Sequence, residues 1–241
     1  MNAWRSRLDG HAQLINLING PSHDENGRPG QPSEGEFLRY LNLGFHLAPT
    51  ADQDNHLENW GSAARTRTGV WARSLSKADV LTALRERRAY ATEDQNLRII
   101  GMVNGSLMGT RFRGTTVPAP GTPLSITVDC ADIDEPSAEY TIDIFRDTVG
   151  GTPVADVVRQ HTHTGNGTLT ISDITYSGGE QYFFLKITQH DEGGQDDRAW
   201  LAPVWFEPTG TPDPTPSPDP DPTPDPDPKP GPTTGAAPAR R

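Results

Sequence analysis

The run LSITVD, residues 124–129, alternates apolar and polar side chains. This period of two is typical of a strand with one buried face and one solvated face. Three more segments continue the strand-like pattern, with glycine-rich turns between them: residues 140–146, 168–174 and 182–188. Short strands divided by such turns predict an antiparallel β-sandwich of immunoglobulin-like architecture over residues 97–208.

The tryptophans and the single cysteine refine this prediction. Trp200 and Trp205 flank an apolar segment near the end of the region, and we expect them to form a last strand and to help fill the core. Cys130 lies in a predicted strand, where a small buried side chain is expected. A single cysteine excludes an internal disulfide framework and a cysteine-rich zinc site. The Cys…Trp…Cys signature of antibody domains is missing, so "immunoglobulin-like" refers to architecture alone.

Residues 209–241 form a tail rich in proline and aspartate. Proline occupies every second position from Pro212 to Pro232, and its fixed φ and missing amide donor prevent helix and sheet formation. Aspartates between the prolines repel one another, so the composition predicts a disordered, extended, polyproline-II-like segment. Two interpretations stay open: a stalk that holds the protein away from a surface, or a frayed tail without a partner.

Residues 1–96 have a mixed pattern. Strand-like and helix-like segments alternate in the order strand, helix, strand, helix, strand: residues 11–19, 34–44, 45–50, 76–88 and 89–92. Ser76 is followed three residues later by Asp79, as at a helix N-terminus, and Gly44 suits a helix C-terminus. This order predicts parallel α/β layering.

Overall composition limits the classes of partner. The formal net charge of −11 argues against non-specific binding of nucleic acid, which requires a basic face, and against an anionic membrane surface. No apolar run approaches the roughly 18 residues that span a bilayer. The first residues, MNAWRSRLDGHAQL, lack the apolar core of a signal peptide.

The stretch TADQDNHLENWG, residues 50–61, is the first candidate site. It follows a predicted strand, and sites in parallel α/β folds lie in loops after the carboxyl ends of strands. Asp54 and His56 are two positions apart, so in an extended chain both would face one point, as ligands of Zn²⁺, Mn²⁺ or Fe²⁺ do. A catalytic zinc needs about three protein ligands, and this pair supplies two. A solvated polar loop is therefore the alternative interpretation.

Other histidines give less specific signals. His23, in His23-Asp24-Glu25, either lines the rim of the same pocket as Asp54 or lies in a solvated loop. His161 and His163 form a His-x-His pair on a predicted strand of the sandwich, where exposed surface histidines are the simpler interpretation. The sequence contains neither a Gly-x-Ser-x-Gly motif nor a phosphate-binding Gly-x-x-x-x-Gly-Lys-Ser/Thr motif, and no catalytic residue or organic cofactor site is assigned.

A longer resemblance covers about residues 13–109. The run GFHLAPTADQDNH, residues 44–56, is followed by Trp60-Gly61, by RTG at 67–69, by LSKAD at 75–79 and by RAYATED at 88–94. Together these segments resemble the C-terminal end of a PHP-domain metallohydrolase, closest to the CehA/McbA-like branch. The resemblance implies a distorted (β/α)7 barrel that binds two or three metals and hydrolyses phosphoesters, esters or amides. Asp54, His56 and Gly61 match the last metal-binding motif of that family.

The chain also departs from the family pattern. The earlier family motifs, an N-terminal His-x-His and later Glu and His ligands, have no counterpart before His56. The expected fold class is therefore α/β over residues 1–96, the C-terminal portion of a PHP barrel, followed by an all-β immunoglobulin-like sandwich and a disordered tail. Two remaining ligands should hold a divalent metal weakly.

Two functional hypotheses follow. The first is a truncated or partial PHP-type hydrolase of a small ester or phosphoester, inactive alone: a fragment, a degenerate remnant, or one half of an enzyme that an N-terminal half of the barrel completes. The second is a non-catalytic binding or spacer module built on the sandwich and the proline-rich stalk. The resemblance and the stalk favour an extracytoplasmic location, although this chain shows no signal peptide.

Overall fold

The computed structural model describes residues 8–20, 32–150, 156–190 and 196–209. The proline-rich tail from residue 210 onward and His23 lie outside the described residues, so their predictions are not tested. Within the described ranges the chain forms fourteen strands, two α-helices and one short 3₁₀ turn at Gly114–Thr116. In this part of the chain, no helix has the length and apolar character needed to cross a membrane.

The first elements alternate strands and helices. In chain order they are β1 (Leu14–Ile18), α1 (Glu34–Asn42), β2 (Ala48–Ala51), β3 (Arg67–Val70), α2 (Lys77–Arg85) and β4 (Ala89–Thr92). The remaining elements are strands: β5 (Arg98–Val103), β6 (Ser106–Leu107), β7 (Arg111–Arg113), β8 (Pro123–Ala131), β9 (Glu139–Thr148), β10 (Asp156–Thr164), β11 (Gly167–Thr175), β12 (Gln181–His190), β13 (Asp197–Leu201) and β14 (Val204–Glu207).

Two sheets face each other across the main core. One has eight strands, in the order β10-β9-β12-β13-β4-β3, with β14 paired to both β12 and β7, and the other has the order β11-β8-β5-β6. Pairing is antiparallel throughout these sheets except between β14 and β7. The alternating run 124–129 lies in β8, where Leu124, Ile126 and Val128 enter the core between the sheets. The architecture is consistent with the predicted immunoglobulin-like sandwich.

The single last strand expected around the two tryptophans is wrong, because the segment forms two strands, whereas the burial of both tryptophans and of the cysteine is confirmed. Trp200 lies in β13 and Trp205 in β14, and both are buried. Their side chains belong to a second core on the outer face of the eight-stranded sheet, where α1 packs through Phe37 and Leu41. Cys130 is buried in β8. The molecule therefore has three layers: the four-stranded sheet, the eight-stranded sheet, and α1 with β1 and β2.

The prediction of a PHP-barrel portion over residues 1–96 is wrong, because the described chain is mostly β-sheet. Among the described residues of that region, only β1 and β2 pair in parallel, with α1 between them. The next strands, β3 and β4, pair antiparallel, and β4 joins the eight-stranded sheet through β13. All four residues of β4 are buried. A short apolar run suits a parallel α/β sheet and a sandwich equally well, so its pattern did not distinguish them.

The sequence signals for the helix ends, Ser76 and Gly44, predicted the structure better than the strand pattern of this region did. Ser76 caps α2, and its Oγ accepts a hydrogen bond from the Asp79 amide at 3.1 Å. The predicted helix over residues 34–44 is α1, which ends at Asn42, and Gly44 follows with a left-handed φ of 84°. A glycine adopts this φ without the steric cost that a Cβ atom would add. The chain then turns into β2, whose end positions the candidate loop.

Candidate functional site

The loop after β2 begins at the carboxyl end of the parallel pair β1–β2. The Asp52 amide donates to the Ile18 carbonyl at 2.9 Å, which continues the pairing by one residue. Asn16, on β1, donates from Nδ2 to Asp52 Oδ2 at 2.6 Å. Thr66 Oγ1 donates to the Asp52 carbonyl at 2.9 Å. The first residue of the loop is thus tied to both strands and to the segment that leads into β3.

Backbone carbonyls of the loop are held by one guanidinium group. Arg67 donates to the carbonyls of Gly61, Ala64 and Thr66 at 2.6, 2.7 and 2.8 Å. Gln53 adds bonds in both directions, because its amide nitrogen donates to the Ala64 carbonyl at 2.6 Å and its oxygen accepts from the Gly61 amide at 3.1 Å. These contacts make residues 52–66 an ordered loop although most of its side chains are exposed.

Asp54 and His56 lie together on this loop. Asp54 has a φ of 45°, in the left-handed region rather than the extended conformation assumed from the sequence. The His56 Nδ1 atom is 2.7 Å from the Asp54 carbonyl oxygen and 4.0 Å from its Oδ1 atom. A carbonyl can only accept, so Nδ1 carries the proton and Nε2 holds the free lone pair. Histidines that bind metals show this arrangement, in which the outer nitrogen donates to a carbonyl or carboxylate.

The surroundings form an open cleft of about 540 Å³. Its walls include Asp52, Asp54, His56, Trp60 and Arg67. The His56 side chain is 81% exposed and the Asp54 side chain 58% exposed. Both groups are therefore accessible to a dissolved metal ion or to another molecule.

The donor set fits a metal ion only in part. Asp52 is close by in sequence, but its Oδ2 accepts from Asn16 and its Oδ1 accepts from the Asp54 amide at 3.0 Å. Among the residues that the structure describes, no group of three or more His, Cys, Asp or Glu side chains could hold a metal ion. Asp54 and His56 supply two of the roughly three protein ligands that a catalytic metal requires.

The His-x-His pair lies at the opposite edge of the eight-stranded sheet. His161 and His163 are on β10, whereas the loop containing His56 leads into β3 at the other edge. His161 Nε2 is 3.2 Å from Asp173 Oδ1, and the His163 ring stacks on Tyr140 with centroids 6.3 Å apart. The structure therefore does not bring this pair together with Asp54 and His56.

A buried ionic network around His46 was not predicted. His46 Nδ1 is 2.7 Å from Asp9 Oδ2, and its Nε2 is 3.2 Å from Glu207 Oε1. Only a doubly protonated ring can donate to both carboxylates. Arg111 makes a bidentate pair with Glu207, with both distances 2.8 Å, and Arg113 adds a bond of 2.9 Å. Both ring nitrogens of His46 are therefore engaged by carboxylates.

The charges in this network shift two acidic groups. Burial would raise the pKa of Glu207, but hydrogen bonds from His46 and Arg111 outweigh it and hold that pKa well below its ordinary value. At Asp9, burial would raise the pKa and the interaction with His46 lowers it, and the net effect is a lowered pKa. A cavity of about 310 Å³ adjoins the network. The one sequence signal was a histidine inside the apolar run 43–48, which indicates a buried polar group but not its partners.

Comparisons with known proteins add little at this site. No protein family and no curated protein matches the sequence. A solved structure similar to part of the chain is the soluble domain of PmoD from Methylocystis sp. ATCC 49242 (Rockwell). It is 14% identical over 46% of this chain and 90% of that domain, with a TM-score of 0.30. At this level the similarity carries no information on function.

Proposed function

We propose that the loop carrying Asp54 and His56 contributes two ligands to a divalent metal site of a metal-dependent hydrolase. The observation that carries the proposal is the bond from His56 Nδ1 to the Asp54 carbonyl, which leaves Nε2 ready to bind a metal. The nearby Asp54 carboxylate would supply the second donor. The resemblance of residues 13–109 to PHP-domain metallohydrolases supports this assignment, whereas a barrel fold is not part of the proposal.

The roles of the individual residues follow from their contacts. Asn16 and Thr66 fix Asp52, and Asp52 in turn accepts from the Asp54 amide, so the backbone of Asp54 is fixed and its carboxylate lies 4.0 Å from His56 Nδ1. When bound, a Zn²⁺, Mn²⁺ or Fe²⁺ ion would lower the pKa of a coordinated water and polarise an ester or phosphoester. The open cleft gives a small substrate access to the two ligands.

Two ligands define a partial site, so we expect the chain alone to bind metal weakly and to lack turnover. The missing ligands would come from outside the described residues, for example from a complementing polypeptide. The outer strand β1 offers a place for such a partner, because in the described part of the chain it pairs only with β2. A strand added to this edge in parallel would bring its own carboxyl end next to the cleft.

Zinc titration of the full chain tests the partial site. Isothermal calorimetry at pH 7.5 should show weak binding by the wild type and at least about tenfold weaker binding by His56→Gln. His161→Gln is the matched control, because His161 is also a surface imidazole beside a carboxylate, at 3.2 Å from Asp173. Equal zinc affinity in His56→Gln and the wild type would refute the proposed ligand.

Hydrolysis assays test the expected inactivity separately. Wild-type chain with Zn²⁺ or Mn²⁺ should release no p-nitrophenol from bis(p-nitrophenyl) phosphate or p-nitrophenyl acetate above the rate of the metal alone. Strong metal-dependent turnover that disappears in Asp54→Ala would show that the site is complete without a partner. That result would keep the metal ligands and overturn the partial-site proposal.

A pocket in the sandwich favours a second candidate, a non-catalytic binding module. The pocket measures about 510 Å³ and is lined by Asp134, Glu135, Glu139 and His190 among others. Its acidic lining suits a basic group such as a lysine side chain. Binding of tetra-lysine by the full chain, weakened in Glu139→Gln and unchanged in His56→Gln, would support this alternative over the metal site.

A further inference from the structure

Four side chains form a row across one end of the eight-stranded sheet. His163 on β10 is the cross-strand partner of Tyr140 on β9, Tyr140 is opposite Gln189 on β12, and Gln189 is opposite Asp197 on β13. Tyr140 and Gln189 are fully buried, and Asp197 is 4% exposed. The row therefore ends the apolar core with a line of buried polar groups.

Every member of the row has a buried polar atom without a hydrogen-bond partner: His163 Nε2, Tyr140 Oη, Gln189 Oε1 and Asp197 Oδ1. Gln189 Nε2 donates to Asp132 Oδ2 at 3.0 Å and to Glu135 Oε2 at 2.7 Å, which fixes the orientation of the amide. The amide oxygen, Oε1, is buried and has no hydrogen-bond partner. Asp197 Oδ2 pairs with Arg65 at 3.0 Å, but Asp197 Oδ1 is also buried and without a partner. The amide oxygen of Gln189 has two lone pairs, so it can accept from the Tyr140 hydroxyl on one side and from a protonated Asp197 on the other.

Negative charge is in excess around this pair. The charged groups that interact with Asp197 are Arg65 before β3, Glu93 and Asp94 after β4, Glu135 after β8, and Arg198 on β13. Asp132 adds a fourth carboxylate nearby, because it is bonded together with Glu135 to the Gln189 amide. Arg65 is shared between Asp94 and Asp197, and Arg198 is bonded to Glu93 at 2.7 Å. An unpaired carboxylate oxygen among four further carboxylates is unfavourable.

We propose that Asp197 and Gln189 form a proton-operated clasp between β12 and β13. In the protonated state Asp197 donates from Oδ1 to Gln189 Oε1, so that these two oxygens take part in one hydrogen bond. Loss of the proton removes this bond and leaves a second acceptor facing the amide oxygen. The clasp acts at the last register pair of the two strands, Gln189 with Asp197, where the β12–β13 ladder ends.

The electrostatics agree with this geometry. Burial raises the pKa of Asp197 to about 7, against a lowering by Arg65 and with further raising by Asp94, Glu93 and Glu135. The folded-state pKa lies above the unfolded value of 3.8. The stability that this group contributes is therefore fully present below the unfolded pKa and is lost as the pH rises through about 7. From pH 5 to 8 the ratio of folded to unfolded chain should fall by up to about a hundredfold through this group.

The clasp would also control a binding surface. Glu135, bonded to the Gln189 amide, and His190, next in sequence, both line the 510 Å³ pocket of the sandwich. Opening of the clasp above neutral pH should therefore loosen the end of β13 and one wall of this pocket together. The device is pH-sensitive without requiring a histidine to titrate.

Thermal unfolding of three forms of the full chain, from pH 5 to 8 with EDTA present, tests the clasp. In Asp197→Asn an amide N–H replaces the acid proton at all pH values. The difference between the thermal unfolding midpoint of this variant and that of the wild type should therefore rise as the pH rises. Asp143→Asn is the matched control, because Asp143 is also bonded to a cross-strand glutamine, Gln160 at 2.8 Å, but is exposed to solvent. Parallel curves for Asp197→Asn and the wild type would overturn the proposal.

Two measurements on the wild type keep the test decisive if Asp197→Asn does not fold. In an assigned carboxyl ¹³C NMR titration, Asp197 should titrate between pH 6 and 8, and a midpoint below pH 5 would overturn the clasp. The second measurement adds Ca²⁺ at pH 8. A large calcium-dependent rise in the wild-type thermal midpoint, together with a calcium-dependent shift of the Asp197 carboxyl resonance, would mean that a cation rather than a proton bridges the oxygens and would also overturn it.

Discussion

Replacing Glu207 by glutamine should destabilise the fold strongly and in a pH-dependent way. The Glu207 carboxylate accepts from Arg111 at 2.8 Å twice, from Arg113 at 2.9 Å and from His46 at 3.2 Å. Glutamine has nearly the same shape but no charge, and its NH₂ group would face donors. Asp9 would remain as the nearby anion, at 2.7 Å from His46 and 3.7 Å from Arg111.

The expected magnitude follows from burial. Breaking a buried ion pair by removing one partner costs about 3–5 kcal/mol, whereas exposed pairs contribute about 0–1 kcal/mol. The Glu207 side chain is 16% exposed and the Arg111 side chain 13% exposed. This environment is close to the buried limit, with some access to water, so we expect Glu207→Gln to lower the free energy of unfolding by about 2–4 kcal/mol at pH 7.

The pH dependence has a definite sign. The pKa of Glu207 is lowered in the folded state. Its contribution to the free energy of unfolding is therefore present above its pKa in the unfolded chain and disappears as the pH falls through its pKa in the folded protein. The free energies of unfolding of the wild type and Glu207→Gln should therefore differ most near neutral pH, and this difference should narrow as the pH falls below about 4.

Urea unfolding followed by tryptophan fluorescence measures both quantities. Glu36→Gln is the control, because the Glu36–Arg39 pair on α1 spans a similar distance of 3.0 Å but has side chains 55% and 58% exposed. We expect this control to change stability by less than about 0.5 kcal/mol. A loss in Glu207→Gln no larger than in the control, or a gap that stays constant down to pH 3, would refute the reasoning.

Two further substitutions or treatments test the packing of the sandwich. Gly109→Ala should lower stability by more than about 2 kcal/mol, since φ is 98° and a Cβ atom would lie 2.5 Å from the Arg87 carbonyl oxygen. Gly105→Ala, with a φ of 76° and open space around it, should cost only about 1–2 kcal/mol, and equal losses in urea unfolding would contradict the predicted clash. Burial raises the pKa of the Cys130 thiol to about 12, so 5,5′-dithiobis(2-nitrobenzoate) at pH 8 should react only as fast as the chain unfolds. Rapid labelling of the native protein would show that β8 is not packed as described.

The sequence predicted the sandwich better than the region before it, for a physical reason. A strand between a core and solvent alternates in polarity, and this pattern is visible in β8, where Leu124, Ile126 and Val128 are buried. A strand buried on both faces lacks alternation, as in β4. Its four buried residues were assigned to a parallel sheet although they pair antiparallel with β3 and β13.

Polar networks were beyond prediction because their members are far apart in the chain. His46 meets Asp9 and Glu207, which lie 37 positions before it and on the last described strand. Local composition around each of the three residues does not reveal the other two. The Asp197–Gln189 pair is also determined by sheet register, since it exists only because β12 and β13 align these two positions.

The position of the candidate metal ligands depends on the second core, which joins α1, β1 and β2 to the eight-stranded sheet. Phe37 and Leu41 of α1 pack on the outer face of the eight-stranded sheet, in one core with Phe184, Trp200 and Trp205. That core also contains Leu17 and Ala51 from the parallel pair, so the end of β2 is anchored directly to the sandwich. The loop with Asp54 and His56 starts one residue later, with its first carboxylate bonded to β1. The proposed ligand pair is therefore exposed to solvent yet carried by a loop that is attached to a packed core, as a preorganised site requires.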